Sequence, residues 1–131
     1  MNWIEDTLAE FGRLMGIDKL QADAQGRLQL ELGDGDLLSV EPHEREGEDE
    51  VLVHLSVPVG YQAAAWVQRA LARCHEEAAS RWPVQVGLRG TGSDARGLLL
   101  ARAPARGFTP QSLGQMVDTL RRSAERIRLQ A

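Results

Sequence analysis

The chain has a single cysteine, Cys74, among 131 residues, so no disulfide can form within it, which suits a reducing compartment. No apolar run approaches the ~20 residues that a membrane-spanning helix needs. The opening residues, MNWIEDTLAEF, carry Glu5, Asp6 and Glu10 and lack the basic start and apolar stretch of a signal peptide. Together these absences predict a cytoplasmic protein. An excess of positive charge is also missing. The formal net charge is −4, which argues against a general nucleic-acid binder and suits a soluble partner for something sticky or basic. No repeat or low-complexity segment interrupts the sequence. What is present is 43% hydrophobic and 26% charged, the composition of an ordinary globular protein rather than a disordered chain. The length predicts one domain, residues 1–131, with one core.

Catalytic patterns are scarce as well. Cys74 and His75 are sequence neighbours, but adjacent helical residues point about 100° apart, a poor geometry for a nucleophile and its base. His43, His54 and His75 are scattered without HxxxH or CxxC spacing, so neither a metal nor another cofactor is expected. The run Gly33-Asp34-Gly35-Asp36 lacks the later ligands of a calcium loop. Gly90, Gly92 and Gly97 precede a strand rather than a helix, so they do not make a phosphate cradle. An enzyme would need His43 or His54 to meet carboxylates across a subunit interface.

Periodicity then organises the chain. Residues 2–16 read as a helix with Ile4, Leu8, Phe11 and Met15 on one stripe and Gly16 as its stop. Trp3 and Leu14 widen that stripe to an arc of roughly 140° on the helical wheel, a candidate binding shoulder. Residues 27–32 alternate strictly, with Leu28, Leu30 and Leu32 on one face. A tight turn at residues 33–35 leads into a second strand, residues 36–41. The acid-rich residues 42–50 read as a solvated loop, and residues 51–57 as a third strand. Val84, Val86 and Leu88 alternate in a fourth. The fifth, residues 98–103, is apolar on both faces at its start, which predicts a central or covered strand. Thr109 as N-cap and Pro110 at the first helical position open the last helix. Its stripe is Leu113, Met116, Val117, Leu120, Ala124 and Ile127, with four arginines off the stripe toward its end.

Between the third and fourth strands, residues 61–82 form the longest helical run in the middle of the chain. Ala64, Val67, Leu71, Cys74 and Ala78 fall on one arc, the expected face toward the sheet. Trp66, with Ala63 and Ala70, lies on a second arc, and the expectation is that this face meets a second subunit. The order α-β-β-β-α-β-β-α predicts an α+β fold, a mostly antiparallel sheet with helices on one side.

With WIEDTLAEFGRLMG, RLQLEL-GDGD-LLSVE, EVLVHLSV and AAAWVQRALARC in this order, the chain resembles the class I type III secretion chaperones. These are the small acidic bacterial proteins of the Tir-chaperone-like family. The words LAEFGRLMGI and GRLQLEL carry most of the likeness. MNWIE is similar to the start of members that serve a secretion gatekeeper.

The resemblance implies a homodimer made by the middle helix and the strand after it, mapped here onto Ala63, Trp66, Ala70, Val84, Val86 and Leu88. It implies that the N-terminal segment of a secreted effector or gatekeeper wraps the dimer in extended form, adding a strand to a sheet edge. Trp3, Leu14, Leu28 and Leu30 are the candidates for its grooves. The client would stay soluble and export-competent until the ATPase of the secretion apparatus removes it. The alternatives are a relative that sequesters a regulator, or one subunit of a heterodimer with a paralogous chaperone. No nucleic acid or membrane enters this reading.

Overall fold

Strict alternation in the strand segments and 3.6-residue periodicity in the helical ones set the elements in their expected order. The computed structural model describes residues 3–14, 27–32, 35–44, 46–76 and 82–129. Its elements are α1 (Trp3–Leu14), β1 (Leu28–Glu31), β2 (Leu37–His43), β3 (Glu50–Pro58), α2 (Ala63–Glu76), β4 (Gln85–Arg89), β5 (Arg96–Pro104) and α3 (Pro110–Leu129). One-turn 3-10 helices at Gly60–Gln62 and Gly92–Asp94 precede α2 and β5. Met15 and Gly16 of the expected first helix, residues 77–81 of the expected middle helix, and Gly33 and Asp34 of the hairpin lie outside the described residues.

All strand pairs are antiparallel, and the sheet order is β1-β2-β3-β5-β4. The doubly apolar β5 is therefore an interior strand, as its composition predicts. At the first hairpin the Leu32 amide donates to the Asp36 carbonyl at 2.9 Å, and Gly35 takes φ +83°, open to glycine without strain.

The helices cover one face of this sheet. α3 lies across β3 and β5, with α1 on one flank and α2 on the other, and α2 packs over β4 and β5. Under them Leu38, Val40, Val51, Val53, Leu55, Val57, Leu99 and Ala101 are buried, together with Leu8 and Phe11 of α1 and Leu113, Met116, Leu120 and Ile127 of α3. Burying one such large side chain is worth roughly 1.5–3 kcal/mol, so this layer carries the fold. The alternate residues Ser39, Glu41, His54 and Ser56 stay half-buried on the opposite face. Thr109 caps α3 as expected. Its Oγ1 accepts from the Ser112 amide at 3.0 Å, and its own amide donates to Ser112 Oγ at 2.8 Å.

The middle helix is rotated from its expected setting. Trp66 and Ala70 are buried in the chain's own core, while Leu71 is 55% exposed and Ala64 is exposed. Gly97 supplies the physical reason. It stands in β5 on the helix side of the sheet, paired with Val57 and Leu88, and its missing side chain leaves a hollow. A Cβ there would lie 2.6–2.7 Å from Cη2, Cζ2 and Cζ3 of Trp66. The indole fills that hollow and fixes the phase of α2. A glycine within a strand signals such close approach, and Gly97, which the sequence places just before the fifth strand, lies inside it.

Candidate functional site

The residues expected to bind a second chain separate by burial. Trp66, Ala70 and Val84 are spent on the core of the chain itself, which corrects the expectation that they form an intersubunit surface. Ala63 and Val86 are half-buried, and Leu88 is 44% exposed on β4, at the edge of the sheet. Leu71 on the outer side of α2 and Tyr61 just before it are exposed too. Tyr61 and Leu71 are the part of this apolar surface that the sequence reading missed, and α2 and β4, which carry Leu71 and Leu88, pack together.

The residues expected to hold a client divide likewise. Leu28 is 3% exposed, pairs with Val40 and belongs to the core. That corrects its placement in a groove, because strict alternation points it under the helices. Leu30 is half-buried against the core, and Leu14 is 61% exposed at the end of α1. Trp3 opens α1, but its side chain lies outside the described residues. Among the described residues no strand pairs with the outer edge of β1.

The opposite face of the sheet carries the chain's polar site. It forms an open hollow of about 500 Å³ that runs from β1 to β4, and Arg27, Glu41, His54, Arg89 and Arg96 line it. His54 Nε2 lies 3.1 Å from Glu41 Oε1. Burial is the main influence on His54 and lowers its pKa below the usual 6.5. The Glu41 charge and contact oppose this, and Arg89 adds to it. His54 thus meets a carboxylate of its own chain. His43 is exposed and Cys74 half-buried. Among the described residues no group of three or more His, Cys, Asp or Glu could hold a metal ion. None of the described helices is long and apolar enough to cross a membrane.

A family model described as type III secretory system chaperone SycN matches residues 3–128. The chain belongs to that family. It is a type III secretion chaperone, and its helices and antiparallel sheet recur in solved structures. The chaperone is similar to the Yersinia pestis type III secretion chaperone SycH, solved in complex with a stable fragment of YscM2. That match has 12% identity, a TM-score of 0.66, and covers 95% of this chain and 98% of that one. It is similar to a chain of the ExsC–ExsE complex, with 19% identity, a TM-score of 0.69, and 94% and 89% covered. The HopA1–SchA chaperone–effector complex matches at 15% identity and a TM-score of 0.67, with 94% and 91% covered. At these identities the likeness is one of fold. No curated protein matches the chaperone significantly.

Proposed function

We propose that this chaperone works in the cytoplasm as a pair of identical chains, each a single domain over residues 1–131. The pair holds the N-terminal segment of a secreted effector or gatekeeper in extended form. One observation carries the proposal. Among the described residues the large exposed apolar side chains fall on two separate regions, Tyr61, Leu71 and Leu88 around α2 and β4, and Leu14 on α1, with α3 between those helices. The first region suits a second copy. Val86 and Ala63 stay at its margin, and Trp66 and Ala70 support it from below.

The second region suits the client. An extended segment adding to the outer edge of β1 gains backbone hydrogen bonds that ask little of its sequence, while apolar side chains meet Leu14 and Leu30. Held so, the segment cannot collapse or aggregate, and its ordering entropy is met on binding. The chaperone performs no chemistry and needs no cofactor. Removal of the client falls to the ATPase of the secretion apparatus. SycH and SchA, each solved with a partner chain, support this reading by likeness of fold.

Native mass spectrometry of the tagged protein from its own host tests it. A dimer carrying one copy of a larger protein, bound through that protein's N-terminal segment, is expected. A chain that binds no secreted protein overturns the proposal. The double variant Leu71→Asp, Leu88→Glu should give folded monomers, and a dimer that survives both changes removes this surface from the interface.

A further inference from the structure

Antiparallel pairing of β4 with β5 sets Arg89 directly opposite Arg96. Both line the hollow on the open face of the sheet. Like charges directly opposite one another on a sheet are destabilising, and a nearby carboxylate would ordinarily relieve them. Among the described residues none does. Arg96 is held there by neutral oxygens: Nε donates to Ser56 Oγ at 2.5 Å, and Nη2 donates to the Gly35 carbonyl at 2.6 Å and the Ser56 carbonyl at 3.0 Å. Among the described residues no carboxylate pairs with Arg89 or Arg96. Glu41 is the one acid lining the hollow, and His54 stands against it. A chain of net charge −4 therefore gathers three arginines in one concave site, two of them without a carboxylate partner among the described residues.

We propose that this hollow seats an acidic side chain of the client segment, with its carboxylate bridging the guanidinium groups of Arg89 and Arg96. The inference rests on the client-binding reading and adds the chemistry that the client must carry. A guanidinium already fixed by three hydrogen bonds loses little freedom on accepting a carboxylate, and the exchange replaces repulsion by charge-assisted bonds. The shape favours a peptide over a small anion. The hollow reaches from β1 to β4, and five strands at their usual spacing span roughly 19 Å, about six residues of extended chain.

The test uses two labelled peptides, one of alternating valine and glutamate and the other with glutamine at every glutamate. Fluorescence anisotropy would follow their binding to the full chain at low salt. The glutamate peptide should bind at least about tenfold more tightly, as expected for charged hydrogen bonds of about 1.5–3 kcal/mol. The R89E variant should abolish that preference. Arg89 is exposed and R89E sets an opposite charge across from Arg96, so the variant should melt no lower than the unaltered chain. Equal affinity for the two peptides, or a preference that R89E leaves intact, overturns the proposal. If neither peptide is preferred and R89E instead shifts the oligomeric state, the hollow belongs to a second copy and the proposal falls. Capture of a secreted client from the host separates the two readings. A chain that captures its client but shows no glutamate preference loses only the hollow. A chain that prefers glutamate but captures no secreted protein loses the client reading.

Discussion

Trp66 occupies the space that a side chain at Gly97 would need, its indole carbons within 2.6–2.7 Å of where that Cβ would stand. The pair ties α2 to β5 and sets which face of the helix looks outward. Gly97→Ala should force the indole from its seat and cost about 1–3 kcal/mol, the range for overpacking a filled core. Trp66→Ala should cost about 3–5 kcal/mol through the cavity it leaves. Urea unfolding measures both. Unchanged stability in Gly97→Ala would mean that the ring shifts freely, and the account of the helix phase would fail.

Leu14 and Leu28 are both candidates for the client's grooves, yet one is exposed and the other buried. Leu28→Ala should lose about 2–5 kcal/mol of stability. Leu14→Ala should stay within about 0.5 kcal/mol of the unaltered chain, while weakening client capture in a pull-down. Full capture by Leu14→Ala would exclude that side chain from the client surface.

His54 provides a pH dependence whose sign is set by burial. Its folded pKa lies below 6.5, so the unfolded chain binds the proton more readily than the folded one. Stability from His54 is present above pH 6.5 and is lost as the pH falls from there through the folded pKa. Half-burial and the Glu41 partner keep the effect modest. Denaturant titrations across that window should show a decline that His54→Gln flattens. An identical decline in the variant would assign the dependence to other groups.

Thr109 should be measurable as a cap. Thr109→Ala removes the acceptor of the Ser112 amide and should cost about 1 kcal/mol. In a domain of this size that is a fall of roughly 3–5 °C in Tm, read by calorimetry. No change in Tm would mean that water replaces the hydroxyl without loss.

Much of the fold was legible because local rules sufficed. Leu28 and Leu30 alternate with polar residues, as do Val53 and Leu55, and that period tells which side is covered whatever the partner strands are. Thr109 and Pro110 announce a helix start by chemistry confined to one turn. The middle helix resisted the same treatment. Both of its arcs carry apolar residues, so its periodicity is compatible with either face turned inward, and counting favoured the arc with Leu71. The exposed set shifted with it, from Trp66 and Ala70 to Leu71, while Leu88, already named from the sequence, is exposed on β4.

The sequence by itself determined the order of elements, the sheet's covered face, the helix cap and, through its wording, the secretion-chaperone family. These depend on neighbours a few residues apart or on the pattern as a whole. Tertiary structure decided the phase of α2, because only the pairing of β3, β5 and β4 places the hollow of Gly97 beneath Trp66. It also decided the arginine-lined hollow. Arg89 and Arg96 come from β4 and β5 and Arg27 stands just before β1, and no local rule can say that their charges share one concave surface until the register of the sheet is set.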